Sequence, residues 1–582
     1  MKSKSKLILA LMLFATLTVR AYVLNYDSGG MAERWDLSGT NSLVSTNIVN
    51  RNTRAIRYFL SGKGYSTTNT AAELNALRAS FAQWQAISGT TLKFEEAGVV
   101  NPPVDINTAD GTNIVYWATN TLVAGGTASI VGALGVTFSS STSGNILVEA
   151  DIVFNGAEDG WFTDFKAVND TNYFVEATAL HEIGHFIGLD HSPVGGATMF
   201  WSGSTGIGTG TGLSTDDIAA ARKLYGTNAF LATLGTVKGT VTMNGTNVFG
   251  AIVCLEDSKG NLVAGTVTLT NGTYELAAIP PGSYQARVTP LDPNNVAESL
   301  VNSIFISSPY YDAAEINFLP TLNSPLTVTS GNVTKNFIVI AGTNAFRITE
   351  IRQPTTTPGG FEWNSLPNTM YPGQSNVTIG VASPDIPTGS TITLSGDGLT
   401  FGAITYTPNL GGSGLNFLSV VVSVASNATP GLRTFVVQNG LNRAYANGFL
   451  EILPVAPDYN FDGLDDRFQR QYFPLWTAPQ AGPGVDVDFD GMNNRAEYVA
   501  GTNPTNALSL LKVQSVNYTQ SGTTVTWQSV PGKSYQVSRR LDYSAATWQN
   551  AGAPVTAAGA TAQYFDATAT SGNRFYRVQA LP

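Results

Sequence analysis

Histidine occurs only three times in the 582-residue chain, and all three fall in one 11-residue window, His181-Glu182-Ile183-Gly184-His185-Phe186-Ile187-Gly188-Leu189-Asp190-His191. Histidines recruited separately for packing would be scattered. Two histidines four positions apart on a helix lie on one face, one turn apart, so both imidazoles reach a single ion. Gly188 lets the helix stop and the chain turn sharply, which brings His191 to the ion from another side. Three neutral imidazoles leave a fourth position for water, the arrangement of a catalytic rather than a structural zinc. Glu182, beside the first ligand, is placed to act as general base towards that water, whose pKa zinc lowers to about 7.

The extended motif resembles the metzincin clan of metallopeptidases. Ser192 directly after the third histidine, and Met199 in the run Gly196-Ala197-Thr198-Met199, resemble the matrixin (matrix-metalloproteinase) family, whose Met-turn places a methionine beneath the metal. The run Leu213-Ser214-Thr215-Asp216-Asp217-Ile218, leading to Leu224-Tyr225-Gly226, resembles that family's closing helix. The resemblance covers roughly a third of the chain. It implies an α+β metzincin catalytic domain, a twisted sheet plus three helices, over 53–228. It also implies one catalytic zinc on His181, His185 and His191, Glu182 as general base, and Met199 under the metal. An edge strand in the 133–140 region would bind substrate by strand addition. There are two departures. No histidine remains for the family's second, structural zinc, so that site is absent or taken by calcium; Asp151 reads either as a ligand of such a calcium or as a solvated strand residue. No cysteine lies upstream to act as a latency switch. Cys254 lies downstream and reads as a small buried hydrophobe. Asp27, in Tyr26-Asp27-Ser28-Gly29, is either a latency ligand or part of a simple turn.

A chain this long exceeds one hydrophobic core. With 59 glycines and only 12% charged residues it has the composition of β-rich modules joined by turns. Lys2, Lys4 and Lys6, then the apolar run 7–19, then Val19-Arg20-Ala21, read as a cleaved signal peptide, 1–21. The mature chain is therefore expected to be secreted and extracellular, with no transmembrane segment after cleavage. Residues 22–52 read as a short propeptide or N-terminal segment without an evident structural task. Within the catalytic region, strands are expected at 55–60, 113–117, 134–138 and 146–154. Leu74, Leu77, Phe81 and Trp84 recur at helical spacing. A second helix is expected over about 172–187. A third lies between a Ser214/Asp217 capping box and Gly226. The rest reads as all-β sandwich modules. Residues 235–340, with turns at Asn271-Gly272 and Pro280-Pro281-Gly282, resemble a carboxypeptidase-regulatory-like module. Residues 344–454 look immunoglobulin-like. Residues 508–582 are similar to fibronectin-like modules, with Trp527, Tyr535, Val537, Trp548 and Tyr576 as expected core.

Between them, 457–505 is an acidic joint. Asp486, Asp488, Asp490, Gly491 and Glu497 match D-x-D-x-D-G-x5-E, in which carboxylates converge on calcium and the last glutamate binds bidentately. Asp458, Asn460 and Asp462 open a second loop whose twelfth position is the neutral Gln469. The paired loops resemble dockerin-like or thrombospondin type 3 repeats. A net charge of −10 and scattered Lys and Arg exclude a nucleic-acid role. The expected function is a secreted zinc-dependent endopeptidase acting on proteins or peptides, with glycan or cell-surface contact through the β modules. The rival readings are a surface adhesion or scaffold protein with a metal-binding recognition domain, and a zinc hydrolase of a non-peptide bond.

Overall fold

A strand of five consecutive buried residues needs cover on both faces, and Ile114–Ala118 is such a strand. In the computed structural model its alternate side chains divide. Val115 and Trp117 join a core shared with three helices, while Ile114 and Tyr116 join a second core with Ile106, Ile130, Val136 and Val153. The residues described are 6–7, 24, 32–38, 44–142, 145–168, 170–291, 318–322, 325–342, 347–354, 361–364, 366–542, 544, 546–569 and 572–582. The expected signal peptide, 1–21, apart from Lys6 and Leu7, and the run carrying Asp27, lie outside them. The chain forms two compact units, 1–459 and 460–582.

The first unit opens with a six-stranded sheet. Its strands are β1 (Arg34–Trp35), β2 (Ile56–Ser61), β3 (Phe94–Val100), β4 (Ile114–Ala118), β5 (Gly135–Ser141) and β6 (Ile146–Asn155). The order is β1-β6-β4-β2-β3, all parallel, with β5 antiparallel along β6. Among the described residues β5 pairs with no other strand, so it is an edge. Helices α1 (Thr70–Gln85), α2 (Val175–Phe186) and α3 (Thr215–Tyr225) accompany it. Phe81 and Trp84 of α1 meet Leu180, Ile183 and Phe186 of α2 in one core. The indole of Trp84 donates to Leu180 O at 2.9 Å. The α3 start is capped as its sequence predicts: Ser214 accepts from Asp217 N–H, and the Asp217 side chain accepts in return from the Ser214 N–H.

Two features were not legible in advance. Strand β3 carries Glu95, Glu96 and Gly98 and has no period-2 apolar pattern; it is an outer strand, only partly buried. Residues 32–50, expected to have no structural task, supply Trp35, Val44, Ile48 and Val49 to the core. The Trp35 indole donates to Phe186 O, the last residue of α2, at 2.8 Å. A lone tryptophan in a short strand has no periodicity to announce it.

The following strands build two sandwiches that share a sheet. Ala251–Asp257, Leu262–Val267 and Gly282–Pro290 continue through a Leu262 to Leu432 pairing into Gly431–Asn439 and Asn442–Ile452. Cys254 is buried, as expected, and burial pushes its thiol up to about 12. In the second unit, Trp527, Tyr535 and Val537 form the core with Tyr576 packed against it. Trp548 does not join them. It is half-buried, and Arg540 and Arg577 lie over its ring at 4.6 and 5.0 Å. Among the described residues, no helix is long and apolar enough to cross a membrane.

Candidate metal centre

Helix α2 carries His181, Glu182 and His185, all buried. Gly188, at φ +97°, ends it; a Cβ there would lie 2.3 Å from Glu33 O, so both the turn and the close approach require glycine. The chain then returns His191 to the helix. One ring nitrogen from each of the three histidines lies within 4.8 Å of the other two. His181 Nδ1 donates to Thr198 O at 2.7 Å, and His185 Nδ1 donates to Leu189 O at 2.8 Å. Those bonds put the proton on Nδ1 and leave Nε2 as a lone pair on each ring. The two Nε2 atoms face each other at 3.0 Å. Two lone pairs at that distance repel unless a cation lies between them, so the donor set fits a zinc ion. Burial, then repulsion from His185 and His191, holds His181 well below the usual imidazole range; burial lowers His185 to about 4. Both are therefore neutral, as metal ligands must be.

Glu182 is fully buried. Its Oε2 accepts from Thr137 Oγ1 at 2.7 Å, and the same hydroxyl lies 2.9 Å from Glu182 O. Its Oε1 has no hydrogen-bond partner among the described residues. Burial pushes the carboxyl up to about 8, against the Thr137 bond, which pulls it down. Thr137 lies on the edge strand β5, so the strand expected to receive substrate also orients the expected base. Sequence reasoning missed it. The available signal was a polar residue between Val136 and Phe138, on the face turned to α2. Met199 is buried, and a Cβ on Gly184 would sit 2.1 Å from its sulfur. The glycine between the two helix histidines thus makes room for the methionine beneath them. Asp217 holds the turn by accepting from Thr198 N–H at 2.9 Å and Met199 N–H at 3.1 Å.

Residues 50–226 match the matrixin family model. That family is zinc-dependent, and the match supports a metalloprotease. The chain is also 30% identical over 146 residues to Metalloendoproteinase 2-MMP of Arabidopsis thaliana, a stretch that takes in 25% of this chain and 37% of that protein. The chain thus spans well under half the length of that relative. Among solved structures, 5-hydroxyisourate hydrolase of Klebsiella pneumoniae is 17% identical, covering 19% of this chain and 86% of its own, at a TM-score of 0.13. BcpA, the major pilin subunit of Bacillus cereus, is 12% identical, covering 38% of this chain and 69% of its own, at a TM-score of 0.14. Likenesses at that level say nothing of this chain's fold or function.

In the matrixin-like segment, Asp151 is not solvated. It is 1% exposed, and its oxygens accept from Asn107 N–H and Ile114 N–H, each at 2.9 Å. Both are occupied in holding the loop ahead of β4.

Outside the matrixin-like segment, the second unit brings Asp486, Asp488 and Asp490 together, with a carboxylate oxygen from each within 4.8 Å of the others. Glu497 is buried beside them on the helix Asn494–Ala500, and among the described residues neither of its oxygens has a partner within hydrogen-bond geometry. Burial, then the charges of Asp488, Asp490 and Asp486, pushes it up to about 7. The other loop differs. Asp458 falls just before the end of the first unit, and Asn460 and Asp462 open the second. The Gln469 amide donates to Asp462 Oδ2 at 2.7 Å, as does Asn460 Nδ2 at 3.0 Å. Amide hydrogen bonds brace this loop where the first has converging carboxylates.

Proposed function

We propose that the chain is an exported zinc endopeptidase that hydrolyses peptide bonds of extracellular proteins. The observation that carries this reading is the trio of buried imidazoles converging beside a buried carboxylate with one unengaged oxygen. When bound, zinc supplies Lewis acidity to a water molecule and to the scissile carbonyl. His181, His185 and His191 hold it, with Thr198 O and Leu189 O fixing the orientation of the first two rings. Glu182 Oε1 takes the proton from the attacking water and later delivers it to the leaving amine. Thr137 keeps Oε2 engaged, so that Oε1 faces the reacting atoms. The free edge of β5 aligns the substrate backbone by strand addition. The basic and then apolar N-terminus supports export.

The test is digestion of casein or gelatin by the zinc-loaded chain, with and without a chelator. Cleavage abolished by chelation and restored by zinc is expected; a zinc-loaded chain that cleaves no peptide would refute the reading. Thr137→Val removes the hydroxyl at nearly constant volume. A hydrogen bond to a charged group contributes about 1.5–3 kcal/mol, so kcat is expected to fall roughly 10- to 100-fold with zinc content unchanged, as measured by steady-state kinetics and metal analysis.

We further propose calcium at Asp486, Asp488, Asp490 and Glu497. Three converging carboxylates, with the charge of Glu497 felt beside them, repel each other, and a divalent cation relieves that repulsion. Calcium is expected to raise the melting temperature of the second unit's transition in the full chain, and Asp488→Ala to remove that gain. Calorimetry with and without calcium checks it; equal transitions for wild type in both conditions would rule the site out. Asn460 and Asp462 would hold calcium more weakly, since Gln469 supplies no carboxylate at the twelfth position.

A further inference from the structure

The segment from His191 to Trp201 has two sides. One serves the metal centre: Ser192 N–H donates to Met199 O at 2.8 Å, and Thr198 O receives His181 Nδ1. The other side is spent entirely on the β-sandwiches. Gly195 N–H donates to Asn447 O at 2.9 Å. A Cβ on Gly195 would lie 2.5 Å from the Phe449 ring, and one on Gly196 would lie 2.4 Å from Leu432 Cδ2. Phe200 meets Phe449 edge to face at 5.3 Å. Val194 and Ala197 are buried in one cluster with Ile252, Cys254, Leu262 and Leu432. Phe200 and Trp201 are buried in another with Phe435, Phe449 and Leu450.

A polar relay runs in parallel. Asp216 Oδ2 accepts from Ser192 Oγ, and its Oδ1 accepts from Gly265 N–H on a sandwich strand, each at 2.7 Å. The strand bearing Asn447 is itself braced, because the Asn447 side chain accepts from the buried Arg287 at 2.9 Å and donates to Thr289 at 3.2 Å.

We propose that the two sandwiches are part of the metal centre's machinery, with Phe449 and Leu432 as positioning residues for the turn that orients His181 and carries Met199. This rests on the zinc peptidase reading. Val194, Ala197, Phe200 and Trp201 find their apolar cover on the sandwiches, which therefore hold the 192–201 turn together with the Asp217 bonds to Thr198 and Met199 N–H. A ligand is only as well placed as the groups that hold its second nitrogen, and for His181 that group is Thr198 O. Phe449 and Leu432 act on the site through the turn.

The test uses the full zinc-loaded chain with Phe449→Ala, Phe449→Leu and Leu432→Ala. Three quantities are read: amide hydrogen exchange across 192–199, the rate of zinc transfer to a chromogenic chelator, and KM and kcat on a peptide substrate. Phe449→Ala is expected to speed exchange at 192–199 and zinc release by about 10-fold or more, with β4 and β6 amides unchanged. KM is expected to rise more than kcat falls. Phe449→Leu should recover most of each effect, and Leu432→Ala should reproduce the loosening through Gly196. A variant that melts at lower temperature yet keeps wild-type exchange at 192–199 and wild-type zinc release would overturn the proposal. If no zinc-loaded chain cleaves peptide but Phe449→Ala still loosens 192–199, the peptidase reading fails and the positioning role stands.

Discussion

Glu182→Gln is expected to retain one zinc per chain and to lose about 100- to 10,000-fold in kcat. The substitution keeps the side chain's size, and its amide oxygen can still accept from Thr137 Oγ1, which reaches Glu182 at 2.7 Å. What it removes is the basic oxygen Oε1, which is buried and makes no other hydrogen bond. Because the ligands are untouched, metal content separates this loss from a binding defect. Zinc analysis together with single-turnover cleavage of a peptide checks it. A rate equal to wild type would mean that some other group moves the proton. Thr137→Val should give a smaller version of the same effect, since it disturbs the orientation of the carboxylate and leaves its basicity in place.

His185→Ala is expected to bring zinc content to background after dialysis, and cleavage with it. Loss of a partner that merely orients a ligand costs about 10- to 100-fold in metal affinity, and loss of the ligand itself costs more. The same variant should become insensitive to chelator in thermal melts. The wild type should not. Free zinc roughly 1,000-fold above its Kd stabilises a chain by about 4 kcal/mol, and chelation removes that. The wild-type site cannot relieve its facing nitrogens by taking up protons near neutral pH, because burial holds His185 at about 4 and His181 well below the usual range. Calorimetry with and without zinc, on both proteins, decides the matter. A wild type whose melting does not respond to zinc would show that the three rings do not hold it.

The metal site was legible because its chemistry is local. His181, Glu182 and His185 share one helix, and the spacing of an α-helix alone puts both imidazoles on one face. Gly188 marked the turn, Ser214 and Asp217 marked the start of α3, and Met199 lay at a fixed distance from His191. The convergence of Asp486, Asp488 and Asp490 was legible for the same reason, being set by position along a short run. Errors arose where a side chain's role depends on what faces it. Asp151 reads in one alternative as a solvated strand residue, yet it is buried and accepts from the backbone amides of Asn107 and Ile114, well over thirty residues away along the chain. Trp548 reads as core, yet two arginines cover it.

The sequence by itself determined the convergence of the three histidines, the carboxylate beside them and the helix that presents them, because those depend on dihedral geometry over a dozen residues. Only the tertiary structure decided which oxygens fix the rings, that Thr137 holds Glu182, and that Val194, Phe200 and Trp201 are covered by sandwich strands more than fifty residues away along the chain. Packing partners are chosen by shape and by the loss of apolar surface from water, and neither is written in the spacing of residue types.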